Sequence, residues 1–553
     1  MITVNELPYI YYPFDDNLGY RFTLSGTYDG SPTNFRVLIF NASGGATLIS
    51  YADLENQSIS GGVWSGEVYI SRQNAMFRFT VQRSDNSETA STNNQTTVAF
   101  IGVIFGQSNA QYFHNVGTAT PHELVKFTEN GVTIDQTGGF GITTLGNKLR
   151  EELQCSVLLL KWGYGGYGLA VEWSFGPFGC WLNCPVYDNM MNAINNVGGA
   201  IHAFFWHQGE TDAMFGCPYN IYRDNETELI EDIRRDVANP RSGDLPFISA
   251  YLGNYDDSAN GMRYVDSWPG IKQGKYEVFR DVNNVYIIGC NGLEMQDTIH
   301  YRATTGGYGV MALRWAQCIL YHFGLTSYFR GPVCVSIEQL TTTTTNIRLR
   351  LNSAASAITP TTNIDSFQVL LNSVWTNCTG ALDSYSGQYA DVVLTHASGT
   401  VTDVKCLCGD ETDPPTTYMI KDNSPLTLQI EPMVSVVTYG EEILSSGWSI
   451  NISSSGVAEC GGYNNTYIEP AISVAPTLTT GSTYRFFYEI KNFTSGSLYI
   501  TGFCTKTILS NLIDSHFVDV YCSDGEQPLR VVTDTNNGWT GQLDNLNMVE
   551  LVT

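Results

Sequence analysis

At 553 residues the chain is long enough for three or four domains of ~100–200 residues each. Hydrophobic residues make up 43% and charged residues 15%, which excludes disorder by composition. Acidic residues outnumber basic ones 54 to 28, a net charge of −26, so no nucleic-acid or anionic-membrane partner is expected, because phosphate contacts need Lys and Arg. The longest apolar runs have strand length and fall short of the ~18–20 residues of a membrane span.

Residues 1–95 read as short strands such as Phe35–Phe40 and Met76–Val81, punctuated by Asp29-Gly30 and Gly61-Gly62, and predict an N-terminal β-sandwich. The first residues, Met1 to Glu6, lack the basic and apolar regions of a secretory leader, so a cleaved leader is not expected. Ser84–Thr97 is polar and reads as a linker.

The texture changes at Val98–Phe105, a continuous apolar run of the kind a parallel strand needs when both faces are buried. Further buried strands are expected at Ser156–Lys161, Ala200–Trp206, Pro246–Tyr251 and Val285–Gly289, with helical patterns at Asn189–Val197, Asn220–Asp236 and Gly307–Phe323. Alternating strands and helices predict a parallel α/β sheet over 96–329 with helices on both faces. Beyond about 330 the helices stop. Residues 330–433 predict a second β-sandwich, with the five threonines Thr341–Thr345 as a linker or exposed β edge, and 434–553 a further all-β block. The fold class expected is therefore multidomain, α/β plus all-β.

Thirteen cysteines, from Cys155 to Cys522, include two close pairs, Cys180/Cys184 and Cys406/Cys408. Neither has a second pair or a His at ligand spacing, so no metal is expected, and buried free thiols from a reducing compartment are the simpler reading.

Three segments of the α/β block carry candidate chemistry, each following a predicted strand at the carboxyl edge where such sheets bind ligands. Gly106-Gln107-Ser108-Asn109 places a hydroxyl in a tight turn leading to a helix, either as a nucleophile or as a helix cap. Trp206-His207-Gln208-Gly209-Glu210 offers an amide and a carboxylate, or else a polar loop whose amide only satisfies backbone groups. Asp297 and His300 have the spacing of a base and its orienting acid on one turn. The order Ser…Asp…His makes chance a poor explanation.

Together with Lys161–Trp173, in which Gly165-Gly166 stand at the centre, these blocks resemble the SGNH/GDSL hydrolases, and within them the sialate O-acetylesterase-like carbohydrate esterases. The resemblance covers about residues 98–325. It implies an SGNH-type three-layer α/β/α catalytic domain with Ser108 as nucleophile and His300 as general base. The oxyanion hole would be the Ser108 N–H, a glycine N–H from Gly166, and the Gln208 amide. Asp297 would orient His300, with Glu210 as the alternative acid. Tyr167 stands where many relatives have Thr. The chemistry implied is ester hydrolysis without a cofactor or metal.

The C-terminal block, with Tyr484–Leu498 and Gly538–Asn545, resembles jelly-roll carbohydrate-binding modules common in bacteriophage tail proteins. That resemblance implies removal of O-acetyl groups from a bacterial surface polysaccharide by a tail fibre or spike protein. It also implies other virion tail proteins as partners and a homo-oligomer, a trimer by family analogy. The alternatives are an adhesive or structural virion protein that uses the esterase fold only to bind glycan, or a secreted bacterial polysaccharide esterase.

Overall fold

The strand Thr97–Gly106 is buried at all ten positions and organises the centre of the chain. In the computed structural model it pairs in parallel with Ser156–Gly163 on one side and Ala203–His207 on the other. The structure describes residues 1–424 apart from 43–46, 86–87, 130–131, 135–137, 175–179, 183, 254, 256–266, 291–292 and 407–420. Beyond 424 it describes only the backbone of the C-terminal strands.

The central sheet runs in the order Val132–Ile134, Val125–Glu129, Ser156–Gly163, Thr97–Gly106, Ala203–His207, Phe247–Ala250, Val285–Ile288. Only Val132–Ile134 is antiparallel to its neighbour. The first long strand lies in the middle; on one side the chain visits Val125–Glu129 and Val132–Ile134 before returning to Ser156–Gly163 beside it, and on the other it winds outward, so the topological switch point falls at its carboxyl end. Alternate side chains go to opposite faces. Val98, Phe100 and Ile104 join a core with α1 (Ser108–Asn115), α2 (Phe140–Leu153) and α7 (Tyr308–His322). Ala99, Ile101, Val103 and Phe105 join one with α3 (Pro185–Asn196), α4 (Glu210–Met214), α5 (Tyr219–Asp236) and α6 (Trp268–Asp281). Helix α5 shows why these segments are helical. Tyr222, Glu226, Leu229, Ile230 and Ile233 form one buried stripe, and Arg234 and Arg235 stand in the last turn, where the helix dipole favours cations.

Before this unit, a three-stranded and a four-stranded antiparallel sheet share one core, with Phe22, Trp64 and Ile70 from the first and Phe35, Val37 and Phe79 from the second. The expected linker at Ser84–Thr97 is not free chain. Thr89–Ser91 pairs with Phe77–Arg83, and Thr97 already begins the central strand, buried by bonding Ala75 and Ser156. After residue 330 comes a six-stranded antiparallel sheet plus a two-stranded pair. Its strand Val374–Ser386 pairs with Ile364–Leu371 through its first half and with Tyr389–Thr395 through its second, so both halves of the sheet feed one core. The threonine run is not a linker but starts at the exposed end of the sheet's edge strand. It is the turn of the hairpin between Val333–Thr341 and Thr344–Arg350. The C-terminal strands form two four-stranded antiparallel sheets in the order first-eighth-third-sixth and second-seventh-fourth-fifth, the jelly-roll order. The side chains of Tyr484 and Trp539 lie outside the described residues.

The cysteine reading needs one correction, since Cys180 and Cys184 form a disulfide. Cys155, Cys217, Cys290, Cys318, Cys334, Cys378 and Cys406 are free thiols. No helix among the described residues is long and apolar enough to cross a membrane.

A buried ion pair braces α5 against α6. Lys275 Nζ lies 3.2 Å from Glu226 Oε1 and 3.1 Å from Ser249 Oγ, with both charged side chains essentially inaccessible. Removing one partner of such a pair costs about 3–5 kcal/mol, whereas replacing both with apolar groups is near neutral. Glu226→Leu is therefore expected to lower unfolding stability by about that amount in chemical denaturation, and Glu226→Leu/Lys275→Met to recover most of it.

Candidate active site

The central strand ends where no side chain fits. Gly106 has a φ of +133°, and a Cβ there would meet the carbonyl oxygen of His207 at 1.9 Å. The backbone passes over that strand, Gln107 N–H donates to His207 O at 3.0 Å, and Ser108 becomes the first residue of α1. The first amides of a helix have no intrahelical acceptor, and the dipole there favours negative charge.

Across the sheet edge, the turn after Met295 brings His300 to Ser108. His300 Nε2 lies 2.9 Å from Ser108 Oγ. His300 Nδ1 lies 2.9 and 3.0 Å from the two carboxylate oxygens of Asp297. Asp297 Oδ1 also accepts the N–H groups of Ile299 (3.0 Å) and His300 (2.9 Å), which shape the turn. Partial burial works to raise the Asp297 pKa, but those backbone bonds and the imidazole outweigh it and hold the carboxyl below its ordinary range. An ionised Asp297 makes Nδ1 the protonated nitrogen, leaving Nε2 free to accept the Ser108 proton. The Tyr112 ring lies against the imidazole at 4.5 Å between centroids.

The glycine turn Gly165-Gly166 flanks the serine. A Cβ on Gly165 would lie 3.7 Å from Ser108 Cβ. Gly165 N–H is already given to Gln111 Oε1 at 3.1 Å. Gly166, with φ +78°, and Ser108 make no hydrogen bond through their N–H groups among the described residues, which leaves both available to an oxyanion. Half-buried Tyr164 and Tyr167 bracket the turn, their rings stacked at 5.1 Å and 17°.

Two of the residues singled out in the sequence are placed elsewhere. Gln208 is fully buried, with its amide nitrogen donating to Tyr167 O at 3.2 Å and to an Asp212 oxygen, while its carbonyl accepts from Tyr222 O–H at 3.0 Å. Its donors face inward, so it is not an oxyanion donor in this arrangement. Glu210 does not orient His300. It is buried, accepts from Asn109 Nδ2 at 2.5 Å, and lies 3.2 Å from His207 Nδ1. Burial raises the Glu210 pKa and drives that of His207 well down, so His207 is neutral. Asn109, Gln107 and Gln111 were not singled out individually, although all lie in or beside the first motif. Their only sequence signal was proximity to Ser108. Among the described residues, no cluster of His, Cys, Asp or Glu could hold a metal ion.

Residues 114–317 match the model of a family described as carbohydrate esterase, sialic acid-specific acetylesterase. The matched span holds Gly166, Gln208, Asp297 and His300 and begins after Ser108. A protein named a probable carbohydrate esterase from Arabidopsis thaliana is 27% identical over 181 residues, 32% of this chain and 60% of that protein's length. The chain thus spans about three fifths of the curated relative it matches. Among solved structures, a carbohydrate acetylesterase from Xanthomonas citri superposes with a TM-score of 0.52 at 13% identity, covering 76% of this chain and 96% of that one. That likeness is one of fold.

Below the site, burial pushes the Asp212 carboxyl up to about 7, against the lowering effect of bonds from Gln208 and the Leu169 N–H. The unfolded chain ionises this group near 3.8, so its contribution to stability is full below that value and is lost as pH rises to about 7. Wild-type Tm should therefore fall between pH 5 and pH 8 by more than that of Asp212→Asn. Equal slopes in parallel melts would show that Asp212 ionises normally.

Proposed function

We propose that the chain is a serine esterase that removes O-acetyl groups from a carbohydrate. The observation that carries this reading is the unbroken Asp297–His300–Ser108 relay at the switch point of a parallel sheet. The matching family and both similar proteins are named as carbohydrate esterases, which supports the class of ester.

In the reaction, Ser108 Oγ attacks the acetyl carbonyl carbon as its proton passes to His300 Nε2. Ionised Asp297 stabilises the imidazolium. The tetrahedral oxyanion accepts from the Ser108 and Gly166 N–H groups, each donor worth about 3–4 kcal/mol in such sites. His300 returns the proton to the sugar oxygen as its bond to the acetyl carbon breaks, so the sugar leaves as the alcohol, and water repeats the sequence on the acetyl-enzyme. The Tyr164 and Tyr167 rings offer apolar surface for a sugar ring beside the serine.

We extend the proposal to an acetylated bacterial surface polysaccharide as substrate and a trimeric tail fibre or spike as setting. Support for the extension is the C-terminal block, which resembles virion carbohydrate-binding modules and has jelly-roll strand order. Individual sugar contacts are weak, and linked copies would raise avidity.

The experiment is acetate release from a panel of acetylated bacterial polysaccharides and from an aryl acetate. Wild type should release acetate and be labelled at Ser108 by a fluorophosphonate, while Ser108→Ala should do neither and still fold. Release by Ser108→Ala at the wild-type rate would end the esterase reading. Asp297→Asn should lose ~100-fold or more, the size of a lost acid–base contribution. Glu210→Gln, which keeps an acceptor for Asn109, should stay within about tenfold. The reverse pattern would make Glu210 the orienting acid.

A further inference from the structure

The relay joins residues 192 positions apart, and Asp297 fixes His300 only within its own turn. What fixes that turn to α1 is the residue after the serine. Asn109 is fully buried and its side chain reaches three other segments. Its Nδ2 donates to the Ile299 carbonyl at 2.8 Å and to Glu210 Oε1 at 2.5 Å. Its Oδ1 accepts the Tyr308 hydroxyl at 2.8 Å and the Tyr301 N–H at 3.4 Å. Both donors and both acceptor sites of the amide are used.

Ile299 and Tyr301 are the two neighbours of His300, so one side chain grips the backbone on either side of the base. Ser108 sits one residue away on the same helical turn. Moving His300 away from Ser108 must break bonds to Asn109. The Ile299 carbonyl, which can only accept, sets which way the amide faces, Glu210 Oε1 takes the second N–H, and this aims Oδ1 at the Tyr301 N–H.

We propose that Asn109 is a positioning residue that sets the distance between Ser108 and His300, with Glu210 as its brace. This rests on the esterase reading above. A misplacement of about 1 Å at a reacting pair can cost ~100-fold in rate, so the effect belongs in kcat and not in KM.

The test uses the full chain with an aryl acetate and the fluorophosphonate. Asn109→Ala should lower kcat about 100-fold with KM within a few-fold, slow fluorophosphonate labelling of Ser108 in parallel, and keep a cooperative melt. Asn109→Asp sets two carboxylates together and should be as impaired. Asn109→Asp/Glu210→Gln restores a donor–acceptor pair at residue 210 but leaves the Ile299 carbonyl facing a carboxylate, so it should regain only part of the kcat that Asn109→Asp loses. Where the Asn109 variants fail to fold, Tyr308→Phe is read instead. It removes one bond to Oδ1 and should lower kcat about threefold to tenfold at constant KM, the loss of one modest hydrogen bond. A folded Asn109→Ala with near-wild-type kcat and labelling, or Tyr308→Phe with unchanged kcat where it is the variant read, overturns the positioning role and leaves the esterase reading standing. A wild type that neither hydrolyses esters nor reacts with the probe overturns both.

Discussion

The close approach of Gly106 to His207 is the constraint on which the site depends. Two strands in parallel register meet there, and the chain can turn into α1 only because no Cβ stands between them. That turn puts Ser108 at the head of a helix, with an amide that has no intrahelical acceptor. It also brings Gln107 inward, where its side-chain Oε1 accepts the Thr211 N–H at 3.1 Å and ties α1 to α4. A larger residue at 106 would displace the nucleophile, its amide and the floor of the site together.

That floor is a fully buried polar layer, and its chemistry follows from one more glycine. Gly209 has a φ of +130°, and a Cβ on it would meet Ile271 Cγ2 at 2.7 Å. The sharp reversal sends the two flanking side chains apart, Gln208 toward Asp212 and Tyr222, and Glu210 toward Asn109. Buried polar groups are costly unless satisfied, and here the amides of Gln208 and Asn109 both donate inside the layer. The motif therefore works as scaffold, with one arm holding the floor and the other the serine helix.

The sequence made legible whatever is local or continuous. Unbroken apolar runs gave the buried strands, and three-residue spacing gave the Asp297–His300 turn. Helices α2 and α6 were illegible because Gly141, Gly146, Gly270 and Gly274 weaken any helical pattern. At least two of those glycines serve packing, since a Cβ on Gly141 would strike the Phe113 ring at 2.4 Å and one on Gly146 would meet Val125 at 2.5 Å. The direction of a side chain was equally hidden. Gln208 stands at the right edge of the sheet, and nothing in its spacing tells whether its amide looks into the cleft or the core. The polar-loop reading, in which that amide only satisfies backbone groups, fits only in part, since it bonds the Tyr167 carbonyl but also the side chains of Asp212 and Tyr222. The Cys180–Cys184 bridge was missed by reading every cysteine as a free thiol, because a four-residue separation alone does not tell a disulfide from two thiols.

The opposite end of the sheet explains why the N-terminal β unit and the α/β unit pack as one. Tyr11–Pro13 extends the sheet by pairing in parallel with Thr97–Ala99, at the amino end of the central strand. The next residue, Phe14, packs its ring 4.0 Å from that of His202, just before the Ala203–His207 strand. His202 is enclosed there, and burial pushes its pKa down to about 3, so it is neutral. Its Nδ1 accepts the Ile101 N–H at 3.0 Å, which leaves the proton on Nε2, 3.0 Å from the Phe14 carbonyl. The His202 N–H in turn donates to the Ile101 carbonyl at 2.7 Å, so one uncharged residue joins the two strands through backbone and ring and ties both to the N-terminal segment. The same pair of strands, Thr97–Gly106 and Ala203–His207, is locked by a histidine at one end and by a missing Cβ at the other. The strand pair is therefore held at both ends, and the segment Tyr11–Phe14 is part of what fixes its amino end.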